Sequence, residues 1–200
     1  MEKNFEVMRD KQGFFKEGER VKMYNVCENL RDKLLIRMLW MSGRRVSEIL
    51  KVKIKDIDLE NGSILWHIVK KKNKDFRRWK PLDSFTLGLL KIYIEQNGYG
   101  SESYLFPSTS YDKHLSRQRV FQIVREICNK AGIFYVGNKR PHPHHFRHSF
   151  AVEMAKKLKS PADIRKLQQY LEHSSMNVTQ EYLQFEDTEI RELLNEMRGS

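Results

Sequence analysis

The chain has 200 residues, 40% of them apolar, which is enough for one domain with a continuous core. Thirty-seven Lys and Arg against 26 Asp and Glu leave a formal charge of +11, which favours a polyanionic partner, nucleic acid before an anionic membrane surface. No apolar run approaches the ~20 residues of a membrane span, no signal-peptide core follows Met1, and Cys27 and Cys128 are too few for a disulfide framework or thiolate metal site.

Residues 1–13 are polar and aperiodic and read as a flexible lead-in. Phe14 to Val26 predicts a first helix with Val21 and Tyr24 inward. Asn29 is a good cap for a stronger helix, Leu30 to Met41, whose Leu34, Leu35, Met38 and Leu39 repeat at helical spacing. Ser42-Gly43 breaks it, and Arg45 to Leu50 begins a short third helix. From Val52 to Leu82 the period changes. Val52, Ile54 and Ile57 alternate loosely, Asn61-Gly62 is a turn dipeptide, and Ile64–Val69 and Phe76–Leu82 read as strands. That predicts a small three-stranded antiparallel sheet. Helices resume with Ser84 to Glu95, and with Arg117 to Ala131 between the cap Ser116 and the stop Gly132. Pro143 starts a helix running to about Leu158, and Ser160-Pro161 opens another ending near His173. A last helix, about Asp187 to Met197, carries Ile190, Leu193, Leu194 and Met197 on one face. The expected class is α+β, mainly α-helical, with a single domain over residues 14–200.

Four places carry side chains suited to chemistry. Between Lys70 and Lys80, seven of eleven residues are basic: Lys70, Lys71, Lys72, Lys74, Arg77, Arg78 and Lys80. A charge run is usually a solvated face, yet two strands presenting lysines at their turn can also enter a DNA groove. Next, His142, His144, His145 and His148 fall within seven residues. Metal-ligand spacing is not met there and no Cys or acid is near, so the stronger reading pairs His144 with Arg147, three apart on one helical face. Pro143 puts both in the first turn, where free N–H groups and the helix dipole favour an anion. Third, Arg45 follows the Ser42-Gly43 break and lies three residues before Glu48, an orientation pair on a helix start. Fourth, His173 and Tyr182 are nine apart with Ser174-Ser175 between them. One continuous helix would put them on opposite faces, so a shared site requires the serines to break it.

In this order the motifs resemble the tyrosine recombinase catalytic domain of phage-integrase and Xer-like enzymes, from about Phe14 to the C-terminus. By position the resemblance implies that Arg45 and Arg147 clamp the scissile phosphate, with His144 and His173 as the two histidines. Lys71 takes the place of the hairpin lysine, with Lys70, Lys72 and Lys74 as alternatives, and Tyr182 that of the nucleophile. Lys70, Lys72, Lys74, Arg77 and Arg78 are the expected DNA contacts. Arg44 stands where the family usually has an aliphatic residue, and Glu172 where it has glycine. The family's N-terminal DNA-clamping domain has no counterpart in the chain. The resemblance further implies site-specific strand exchange on double-stranded DNA through a 3′-phosphotyrosyl link, without metal, ATP or other cofactor. A monomer in solution, a tetramer on DNA joined through the C-terminal helix, and a cytoplasmic setting in a prokaryote or its virus or plasmid complete the expectation. A type IB topoisomerase-like relaxing enzyme is the alternative of like chemistry, and a non-catalytic DNA-binding module the alternative of another class.

Overall fold

A computed structural model describes residues 13–69, 75–109 and 113–157. The predicted last two helices, with His173 and Tyr182, lie outside the described residues, and so do Lys70 to Lys74 of the hairpin. The elements are α1 (Glu17–Asn25), α2 (Leu30–Met41), α3 (Val46–Leu50), a 3₁₀ turn (Ile54–Asp56), β1 (Ile57–Asp58), β2 (Ser63–Val69), β3 (Asp75–Pro81), α4 (Ser84–Asn97), α5 (Arg117–Lys130) and α6 (Pro143–Lys157).

Helix α2 is the hub. Leu34, Leu35, Ile36, Met38, Leu39 and Trp40 are all buried, so most of its circumference faces the core, while Lys33 and Arg37, four apart, keep a polar stripe. It packs against α1, α3, α4 and α6. Asn29 caps it as expected, its side-chain oxygen accepting from the Asp32 N–H at 2.8 Å. Ser42 closes its other end by donating to the Met38 carbonyl at 2.6 Å. The two cysteines are free and buried between helices, and burial pushes the Cys27 thiol up to about 11 and the Cys128 thiol up to about 12.

The sheet is antiparallel in the order β1-β2-β3, with Ile57 opposite Ile64 and Leu65 opposite Trp79. Ile64, Trp66 and Ile68 of β2 point into the core, and β2 packs on α3. Opposed residues of an antiparallel pair share a face. Arg78, opposite Trp66, therefore belongs to the face turned toward α3, and Arg77, opposite His67, to the other.

Three local expectations are corrected. The first helix begins at Glu17, because Lys16 N–H is held by the Glu19 carboxylate at 2.7 Å. Phe14 and Phe15 precede it and are buried in an extended lead-in, where Phe15 meets Phe146 with ring centroids 4.7 Å apart. Val21 is 53% exposed rather than inward; Met23 and Cys27 take the core positions. The segment from Val52 is largely not a strand. Asp56 caps back onto the Lys53 N–H at 3.0 Å, and the Ile54 and Lys55 N–H groups bond the Ser103 and Ser101 carbonyls. Only Ile57 and Asp58 remain to pair with β2.

Candidate DNA-phosphate site

The loop after α2 and the start of α6 are locked together. Gly43 has φ +61, a conformation that costs an L side chain strain, and an added Cβ would lie 2.4 Å from Phe150 Cδ1. That close approach brings the Gly43 carbonyl onto α6, where it accepts from Arg147 Nη1 at 2.6 Å. Arg147 is 2% exposed, and Phe146 and Phe150 anchor its helix in the core on either side. Two residues later the loop turns outward. Arg45 opens α3; the Glu48 carboxylate accepts from the Arg45 N–H at 3.1 Å and from its Nη1 at 2.7 Å. Glu48 is buried, so the pair is an orientation device for a partly exposed guanidinium rather than a loose surface bridge.

Arg44, the departure from the family pattern, is buried, its guanidinium 5.6 Å from the Trp66 ring centroid. A cation over an indole face fills the space that an aliphatic side chain would otherwise take. The Arg44 N–H is held by Ser42 Oγ at 3.2 Å, so Ser42 fixes this loop from both directions.

The histidine cluster is built from the helix start. His142 Nδ1 accepts from the His144 N–H and His145 Nδ1 from the His142 N–H, both at 3.3 Å, a reciprocal cap for α6. Their rings stack with centroids 3.7 Å apart. Among the described residues no three His, Cys, Asp or Glu are grouped to hold a metal ion. Burial, then the neighbouring His142, His148 and His144 and the Lys139 charge, pulls His145 down to about 3, and burial with His144 pulls His148 down to about 4. His144 is the exposed member. Desolvation first, then the charges of Arg147, Arg45 and Lys139, holds its imidazolium below the usual histidine range. Both arginines therefore act on this one ring, and at neutral pH the ring is uncharged and able to accept a proton.

Arg45, His144 and Arg147 are thus brought together, while Arg77 and Arg78 lie exposed on β3, apart from that loop in sequence. Lys70, Lys71, Lys72, Lys74, His173 and Tyr182 lie outside the described residues. Sequence reasoning missed two parts that fasten the site, the Gly43 carbonyl and Ser149. Ser149 Oγ accepts from the Phe15 N–H at 2.7 Å and donates to the His145 carbonyl at 2.8 Å. Only the glycine had a legible signal, as a break between two helical patterns.

The arrangement can hold a phosphodiester by two guanidiniums and a helix N-terminus beside a neutral base. The chain is 32% identical over 170 residues to the tyrosine recombinase XerD of Staphylococcus saprophyticus, covering 83% of this chain and 54% of that protein. It is 32% identical over 186 residues to XerA of Pyrococcus horikoshii, covering 91% and 60%. It therefore spans little more than half the length of these relatives. The crystal structure of XerA recombinase superposes with a TM-score of 0.70 at 26% identity, over 92% of this chain and 63% of that one. The site-specific recombinase XerH, bound to its palindromic difH substrate after cleavage, gives 0.69 at 27% identity, over 91% and 52%. The sequence profile of the phage integrase family matches residues 14–189. With the fold, the helix order and that match in agreement, the chain belongs to the phage integrase family, with the tyrosine recombinase catalytic-domain fold.

Proposed function

We propose that residues 14–200 form the catalytic domain of a site-specific DNA recombinase, which cuts and rejoins double-stranded DNA through a 3′-phosphotyrosyl intermediate. The observation that carries the reading is the bond from Arg147 Nη1 to the Gly43 carbonyl, which fastens the loop leading to Arg45 onto the helix start that bears His144. In the reaction, Tyr182 Oη forms a bond to the scissile phosphorus as the bond to the 5′-oxygen breaks. A phenol of pKa ~10 needs its proton removed, and His144 is the base. Arg45 and Arg147 stabilise the charge that gathers on the non-bridging oxygens, where fixed donors contribute most. Lys71, with Lys70, Lys72 and Lys74 as alternatives, protonates the leaving 5′-oxygen, and His173 hydrogen-bonds the phosphoryl group. Attack by another strand's 5′-hydroxyl reverses the steps.

Two arginines and a lysine supply charge that many nucleases take from Mg²⁺, so cleavage proceeds without metal. The phosphotyrosine keeps the bond energy, so ATP is not required. Lys70, Lys72, Lys74, Arg77 and Arg78 hold the duplex backbone. The C-terminal helix joins four copies on DNA, and the free chain is a monomer. The cytoplasm of a prokaryote or its virus or plasmid is the setting. No described helix is long and apolar enough to cross a membrane. The relatives are recombinases by name, which favours strand exchange over relaxation or mere binding.

The test is covalent trapping on a nicked suicide duplex in EDTA. The wild-type chain is expected to give a denaturation-resistant protein–DNA adduct, and Tyr182→Phe none while still binding DNA. An adduct from Tyr182→Phe would overturn the nucleophile, and loss of the wild-type adduct in EDTA would overturn metal independence.

A further inference from the structure

Beside the start of α6 is a hollow of about 330 Å³ lined by Arg125, Asn129, Phe134, Tyr135, Arg140 and Pro141. Its two aromatic side chains are each 61% exposed. They are not loose ends. Ile133 and Val136 on either side are buried, the Ile133 N–H bonds the Cys128 carbonyl at 2.8 Å, and the Val136 N–H bonds the Lys139 carbonyl at 2.9 Å. The loop therefore holds Phe134 and Tyr135 outward on an anchored frame. Adjacent large aromatic rings facing solvent are uncommon unless something covers them.

The polar lining says what kind of occupant fits. The acid on this stretch of α5, Glu126, is engaged by Arg119 at 3.2 Å, and among the described residues no acidic side chain lines the hollow. Among the described residues neither the Arg125 nor the Arg140 guanidinium is in an ion pair. Arg140 and Pro141 run directly into His142, and the Arg125 charge acts on the His142 ring, so the hollow adjoins the candidate phosphate site. Guanidiniums for phosphate, rings for a base face and an amide for a base edge are the parts of a single-stranded nucleic-acid subsite. A protein partner would need apolar area of its own but not two cations that no described acid pairs with.

We propose that this hollow receives an unstacked nucleotide of the DNA strand next to the scissile phosphate. Its base lies on Phe134 and Tyr135, its phosphate on Arg125 and Arg140, and its edge against Asn129. The proposal rests on the DNA-cleaving reading above and assigns to that site a second, strand-separating contact.

The test uses the full 200-residue chain and fluorescence anisotropy with two probes, a 30-base-pair duplex and single-stranded (dT)₁₂. In Phe134→Leu/Tyr135→Leu both positions stay apolar and lose only their rings. The variant is expected to bind (dT)₁₂ roughly tenfold more weakly, since one stacked base contributes about that much. Its duplex affinity is expected to stay within about twofold, which also reports that it folds. Unchanged (dT)₁₂ binding, or equal loss on both probes, overturns the subsite. A change in sedimentation mass with unchanged (dT)₁₂ binding overturns it too, making the patch a self-association surface. Failure of the wild-type chain to bind the duplex would instead remove the DNA reading itself, a result separable from all of these.

Discussion

Two basic regions of this molecule hold their charge in opposite ways. On β3, Arg77 and Arg78 stand in solvent, Arg78 with its guanidinium 4.7 Å from the neighbouring Phe76 ring centroid. In the loop after α2 and the first turn of α6, Arg44 and Arg147 are each 2% exposed, and Arg45 is steered by a buried carboxylate. Solvated cations adapt to any phosphate and contribute affinity that salt erodes. Cations fixed before the ligand arrives lose little on reorganisation and stabilise charge that develops in a reaction. The first arrangement is suited to holding a duplex, the second to changing one.

The largest effect that would break this contrast is at Gly43. Gly43→Ala forces a side chain into φ +61 against Phe150, costing about 2–4 kcal/mol of unfolding free energy in denaturant titrations. It also shifts the carbonyl that holds Arg147, so adduct formation should fall by at least tenfold at saturating DNA. Full activity in that variant would mean that the loop's fixed position is irrelevant to the chemistry.

Acid sharpens the contrast next. His145 and His148 stay neutral in the fold down to about 3 and about 4, whereas in the unfolded chain each takes up a proton near 6.5. Their folded values are lowered, so stability is complete above about 6.5 and falls as pH drops toward those values. Each contributes a slope of about 1.4 kcal/mol per pH unit across that window. His145→Gln should remove one such slope in unfolding free energies measured between pH 4 and 6. An unchanged slope would place the lost protons elsewhere.

The smallest effect is expected on the sheet. Arg77→Gln and Arg78→Gln should each lower the slope of log binding constant against log salt by about 0.9, with the cleavage rate at saturating DNA unchanged. A collapse of that rate would move these arginines from the holding region into the reacting one.

Much of this was legible in the sequence because its signals are local. Asn29 before an apolar helical pattern, Asn61-Gly62 between β-forming runs and Pro143 at a helix start each act within a turn of chain. Arg45, His144 and Arg147 were singled out through the resemblance that the ordered set of motifs carries, and the fold fastens the loop of the first to the helix of the other two. What escaped were decisions taken across the fold. Met23 rather than Val21 faces inward, where it meets Cys128 of α5 with 3.5 Å between sulfurs and 105 residues between them in the chain. The Val52 segment is drawn from the sheet by the Ser101 and Ser103 carbonyls, partners some fifty residues away that no periodicity announces. The fastening of Arg147 by a main-chain oxygen has no side-chain signature at all.

The chain enters the domain through Gly13, at φ +71, where an added Cβ would lie 2.4 Å from the Val136 carbonyl oxygen, and two residues later its N–H is fastened to Ser149 on α6. That bond joins the lead-in to the helix that carries His144 and Arg147. Phe15 also meets Trp40 of α2 at 6.0 Å and Phe146 of α6 at 4.7 Å between ring centroids, so one residue of the lead-in ties together the two helices that flank the candidate site.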